Sequence, residues 1–214
     1  MARLAVFASG KGSNFIAIVA ALKMARRHVV EFLLCDVEGA PVLDRAKELG
    51  VPVFPASYKG QGREAVEKKI VRHLERRRVD LVALAGFMRL LSPYFIDAFK
   101  GPVINLHPSL LPKYPGTHGI EESYNSPDKE LGISVIRIDT GVDTGPVLLQ
   151  KSFARAGTES REEIENRIHL LEHEWFPKAL IGLLDEIDSI AARLTGASAA
   201  PPAPPPRWSE GEKS

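Results

Sequence analysis

The sequence predicts an α/β chain: a doubly wound, mostly parallel sheet with an antiparallel C-terminal addition. Three observations carry that prediction. Five short apolar runs, RLAVFAS, VVEFLLCDV, VPVFPA, VDLVALAGF and VINLHPS, alternate with longer helical patterns. The runs are apolar at nearly every position rather than every second one, which suits strands covered on both faces. After residue 130, GISVIRIDT and GPVLLQKSF follow one another across the short loop GVDTG with no helix between, as an antiparallel pair joined to the sheet would.

In chain order, the first strand runs into the glycine turn GKGS and the helical pattern SNFIAIVAALKMARR; VLDRAKELG follows the second strand and GREAVEKKIVRHLERRR the third. After the fourth strand, Ser92 has the chemistry of an N-cap and Pro93 that of a first-turn residue. A long amphipathic helix is expected from about Ser160 to about Leu194, with a break near Pro177. Ligands of such a sheet sit at the carboxyl ends of its strands.

The 214 residues suffice for one well-buried domain, expected over residues 1–196, with 197–214, ASAAPPAPPPRWSEGEKS, too poor in apolar groups to order. Lys plus Arg numbers 28 against 27 for Asp plus Glu, so no global field selects nucleic acid or an acidic membrane; small-molecule partners are expected, and a homodimer is left open. Cys35, the single cysteine, lies in an apolar run and cannot form an internal disulfide. The first apolar stretch, LAVFA, is too short for a signal-peptide core or a membrane span, so a cytoplasmic location is expected.

Three stretches carry chemistry. In ASGKGSNF, residues 8–15, glycines permit close approach of a ligand and a helix start offers N–H groups to an anion, most simply a phosphate; the dinucleotide fingerprint fails because Phe15 holds its third glycine position. Asp36, at the second strand's end, would suit a ribose hydroxyl. In AGFMRLLSP, residues 85–93, backbone groups leaving a strand can meet the edge of a flat heterocycle while Met88, Leu90 and Leu91 form its apolar wall.

The sharpest signal is INLHPSLLPKYPG, residues 104–116. Alternation along a strand sends Asn105 and His107 to one face with Leu106 opposite, and the proline-rich turn behind them ends the strand. A side-chain amide and an imidazole can both stabilise a developing oxyanion, and a carboxylate such as Asp143 can support the imidazole or accept a proton. That trio suits acyl transfer without a covalent intermediate. His107, His118 and Asp143 lack metal-ligand spacing on a common element, and His169 and His173 flank Glu172 without the H-E-x-x-H order, so no metal is expected.

Together SGKGSN, LAGFMRLLSP, INLHPSLLPKYPG and DTGVDTGPVLLQ resemble the folate-dependent formyltransferases, and among them those acting on phosphoribosylglycinamide, over about residues 3–180. The resemblance implies a Rossmann-like fold, 10-formyltetrahydrofolate as co-substrate, and transfer of its formyl group to the glycyl amine of 5-phosphoribosylglycinamide. By it, Asn105, His107 and Asp143 match the catalytic residues; Gly12, Ser13 and Asn14 match the ribose-phosphate loop; and Glu172 matches an acceptor contact. Arg63, Met88, Arg89, Leu90, Leu91 and Asn105 match folate contacts, and Leu111-Pro112 a cis bond. Two positions depart from the family pattern, which often has histidines where this chain has Ile120 and Ile136. The related tRNA formyltransferases and the formyl-folate hydrolase carry further domains that the motifs here do not include.

Overall fold

The computed structural model describes residues 1–194, and its centre is a seven-stranded sheet ordered β3-β2-β1-β4-β5-β6-β7. The strands are β1 (Arg3–Ala8), β2 (Val29–Cys35), β3 (Val53–Pro55), β4 (Leu81–Leu84), β5 (Val103–His107), β6 (Glu130–Arg137) and β7 (Val147–Ala154). The helices are α1 (Ser13–Ala25), α2 (Pro41–Leu49), α3 (Arg63–Arg76), α4 (Pro93–Ala98), α5 (Gly119–Asn125) and α6 (Arg161–Leu194). β1 to β5 pair in parallel, whereas β6 pairs antiparallel with both β5 and β7.

The continuous apolar runs have the cause assigned to them. Along β1, Leu4, Val6 and Ala8 join one core layer with α1, α2 and α6, while Ala5 and Phe7 join the other with α3 and α4. Both faces are therefore covered, and each fully buried Phe or Leu adds about 1.5–3 kcal/mol of apolar burial. Phe7 meets Phe87 and Phe95 edge-on, with ring centroids 5.5 and 6.0 Å away, so the start of the loop after β4 and the helix beyond it pack on the central strand.

Local chemistry sets the helix ends. Ser92 accepts from the Phe95 N–H with Pro93 opening α4, and Ser160 forms a reciprocal capping pair with Glu163 at the start of α6 (2.7 and 3.2 Å). α6 does not break at Pro177 but runs through it as one helix of 34 residues. Pro177 forfeits one helical hydrogen bond, yet Ile164 and Ile168 before it and Phe176, Leu180 and Leu184 around and after it belong to one buried layer. That shared burial holds the two halves in line.

Two further boundaries differ from the sequence reading. β6 ends at Arg137 because the Asp139 carboxylate captures the Gly141 N–H (2.9 Å) and the Thr144 hydroxyl (2.8 Å), turning the chain into a loop over 138–146. The short helix α5 was not expected at all. The segment 197–214, expected to be an unordered tail, lies outside the described residues.

At Gly132, a Cβ would stand 2.0 Å from the Lys151 carbonyl oxygen of β7. Gly132→Ala must push β6 and β7 apart and is expected to cost about 2 kcal/mol or more. A urea unfolding midpoint equal to that of the parent would show that the strands part without cost.

Candidate active site

A cleft of about 810 Å³ runs over the ends of β4 and β5, bounded by the loop 86–91, the loop 138–143 and α6. Asn105, His107 and Asp143 all line it, as do Asn14, Glu172, Arg63 and the run Met88 to Leu91. Gly12 and Ser13 are not among its lining residues.

At its centre, β5 delivers Asn105 and the almost fully buried His107 (3% exposed). The His107 Nε2 lies 2.7 Å from the Tyr114 carbonyl. A carbonyl oxygen only accepts, so Nε2 carries a proton and Nδ1 is the ring atom turned to Asp143 Oδ2, at 3.4 Å. Asp143 accepts the Gly116 N–H at 2.8 Å and faces the Asn105 amide nitrogen at 3.4 Å. Tyr114 and Asp143 both sit in the left-handed region, at φ 57° and 52°.

Sequence reasoning did not find the residues that hold this trio. Gly119 opens α5 against the imidazole, where a Cβ would stand 3.1 Å from Nε2. Ser109 donates to the Lys113 and Tyr114 carbonyls at 2.7 and 3.1 Å. Backbone groups carry no residue-type signal, and only the crowding of Gly and Pro over residues 112–119 hinted at a built turn. The Leu111-Pro112 bond is cis, as the resemblance implies.

At one end of the cleft, the Asn14 amide donates to Glu172 Oε2 (3.0 Å), and His169 Nδ1 lies 2.9 Å from the same oxygen. Glu172 is only 5% exposed, and the Asn14 Oδ1 is buried with no hydrogen-bond partner. Gly12 caps α1 at φ 80°, where any Cβ would strike Val42 at 2.5 Å, so the turn before α1 can only be glycine. His169, seen in the sequence only as half of a pair with His173, is drawn into the site by Glu172. The hydrogen bond to Glu172 raises the His169 pKa above its ordinary value, whereas burial lowers that of His173. Among the described residues, no group of three or more His, Cys, Asp or Glu is placed to hold a metal ion.

At the other end, Met88 and Leu90 stand 70% and 60% exposed on the cleft wall, and Arg63 donates to the Leu90 carbonyl at 3.5 Å. Asp36 is engaged inside the protein rather than free for a ribose hydroxyl: it accepts from Ser9 Oγ at 2.6 Å and Arg89 Nε at 2.5 Å. Of the two isoleucines at usual histidine positions, Ile120 lines the cleft, and Ile136 is fully buried in β6, paired with Asn105.

Residues 2–180 match the family described as Formyl transferase. The chain belongs to the formyl transferase family. Within that family it is 42% identical over 190 residues to the phosphoribosylglycinamide formyltransferase of Bacillus subtilis, covering 86% of this chain and 96% of that one. It is 34% identical to the Escherichia coli enzyme of the same name, covering 85% and 87%. The crystal structure of glycinamide ribonucleotide transformylase 1 from Geobacillus kaustophilus superposes with a TM-score of 0.83 at 45% identity, covering 86% of this chain and 99% of that one. As a member of this family the chain is a transferase.

The His169–Glu172 bond makes a pH-dependent contribution. A histidine whose folded pKa is raised stabilises the fold fully below its unfolded pKa, and the contribution disappears as pH rises through the raised value. In Glu172→Gln the His169 titration midpoint, followed by NMR, is expected to fall toward the ordinary histidine value, with the acid-side gain in stability removed. An unmoved midpoint would assign the shift to another group.

Proposed function

We propose that this chain transfers the formyl group of 10-formyltetrahydrofolate to the glycyl amine of 5-phosphoribosylglycinamide, as a cytoplasmic enzyme of purine biosynthesis carried by one domain over residues 1–196. The observation that supports this best is the convergence of Asn105, His107 and Asp143 within one cleft, with His107 Nδ1 and the Asn105 amide each 3.4 Å from the Asp143 carboxylate.

In this reading the amine lone pair attacks the formyl carbon and a C–N bond forms. Negative charge then develops on the formyl oxygen. The Asn105 amide and a protonated Nδ1 of His107 would donate to that oxygen, since Nε2 is committed to the Tyr114 carbonyl. The amine must lose a proton, and Asp143 is the carboxylate within reach of both donors. Collapse of the intermediate expels the folate nitrogen, which takes up a proton, so nothing is oxidised or reduced and no covalent enzyme intermediate is required.

The two ends of the cleft divide the substrates. The helix start at Gly12, Ser13 and Asn14 would take the acceptor phosphate, with Glu172 beside it. Arg63, Met88, Arg89, Leu90, Leu91 and Asn105 would form the folate side, where the exposed apolar side chains give a flat heterocycle a wall.

His107→Ala is expected to lower kcat by at least ~10²-fold with acceptor affinity little changed, because the lost interaction is made mainly in the transition state. Activity within a few-fold of the parent would remove His107 from the chemistry. Replacing Asn14 with a bulky residue is expected to weaken the acceptor instead; unchanged affinity by calorimetry would place the phosphate elsewhere. Formyl transfer assayed across several amines tests the acceptor identity directly.

A further inference from the structure

The segment from Met88 to Ser92 is held at both ends by side chains that do not line the cleft. At its start, the Met88 N–H donates to Ser9 Oγ (3.0 Å), and the same hydroxyl donates to Asp36 (2.6 Å). Asp36 then takes the Arg89 guanidinium, which lies over the Tyr58 ring at 4.3 Å. At its end, Glu67 of α3 accepts the Ser92 N–H at 3.0 Å through one oxygen and the Ser92 hydroxyl through the other. One helical turn earlier, Arg63 reaches the Leu90 carbonyl.

Both carboxylates are almost wholly enclosed: Glu67 is 0% exposed, and the Asp36 side chain 3%. Neither lines the cleft. An apolar residue at position 67 would fill its space without the cost of burying a charge. What the carboxylate adds is a fixed place for Ser92, and hence for the chain entering α4. The loop so held presents Met88 and Leu90 largely exposed. Rigid presentation removes the ordering cost that a ligand would otherwise meet on binding.

We propose that Glu67 and Asp36 are positioning residues for the co-substrate, holding the Met88–Leu91 segment from its two ends in the form that receives the flat heterocycle. This rests on the folate reading of the cleft. Arg89 then acts through Asp36 and Tyr58 rather than by holding a ligand anion, and the buried Tyr58 phenol, pushed up to about 12 by burial and by Glu67, stays neutral beneath it.

The test is calorimetric titration of tetrahydrofolate into the parent, Glu67→Ala, Asp36→Ala and Glu67→Gln, with acceptor KM and melting temperature measured alongside. Both alanine variants are expected to weaken tetrahydrofolate by at least about five-fold with acceptor KM within about two-fold. Glu67→Gln keeps an oxygen for the Ser92 N–H and a donor for its hydroxyl, and is expected to restore binding to within about two-fold. Tetrahydrofolate affinity unchanged in the alanine variants overturns the proposal, whatever their melting temperatures, and so does an equal loss for both substrates, which would mark general loosening. If Glu67→Ala does not fold, Asp36→Ala decides. Failure of the parent itself to bind tetrahydrofolate would overturn the folate reading first.

Discussion

The arrangement of the site depends on one hydrogen bond, from the Nε2–H of His107 to the carbonyl of Tyr114. It fastens the last residue of β5 to a turn that has come back seven residues later. Tyr114 aims its carbonyl by adopting a left-handed conformation, and the Ser109 hydroxyl donates to the same oxygen. Gly119 closes the packing by having no side chain to displace the ring. An imidazole with one nitrogen tied to a carbonyl can exchange a proton or donate toward a substrate only through the other. The bond therefore gives His107 a direction as well as a place, and that direction is toward Asp143.

Delivering Asp143 is the task of the antiparallel half of the sheet. β5 runs parallel to β4, so the loops leaving β1 and β4 and the turn leaving β5 all emerge at one edge. β6 runs the other way, and its final residue, Arg137, lies beside Ile104 near the start of β5. The loop 138–146 must consequently return across the cleft to bring Asp143 to Gly116 and His107. Its internal bonds at Asp139 shape that return, and residues 138–143 become a wall of the cleft in the process. The hairpin is thus part of the site rather than an appendage of the fold.

The difference between what the sequence announced and what it concealed has the same origin. β1, β4 and β5 were legible because burial on both faces leaves only apolar residues acceptable, and Asn105 and His107 stood out as polar exceptions on one face of such a run. The N-cap at Ser92 was legible because its chemistry is local. α5 was not: Glu121, Glu122 and Asn125 make it largely polar, and its place is set by the His107 ring against Gly119. Pro177 misled because a local penalty was outweighed by burial contributed from distant strands. Asp36 misled differently: its position at a strand end was read correctly, but its partners, Ser9 and Arg89, are 27 and 53 residues away in sequence.

A further regularity separates the supports of the site from the trio they hold. The bonds that hold the frame are short: 2.7 Å from His107 to Tyr114 and 2.8 Å from Gly116 to Asp143. The contacts within the trio are long, 3.4 Å both from Asn105 to Asp143 and from His107 to Asp143. A frame fixed by short bonds loses little order when a substrate arrives, whereas slack contacts between donors and carboxylate can be exchanged for better ones. Under the proposed reaction, the formyl oxygen would draw the Asn105 amide and the His107 Nδ1 proton away from Asp143. The carboxylate, still held by the Gly116 N–H, would then lose two donors as the amine acquires positive charge. An oxygen of Asp143 would thereby be left open to accept the amine proton. Under that proposal the slackness of the trio is what an oxyanion would exploit, and the rigidity of its frame would keep Asp143 in place for the proton.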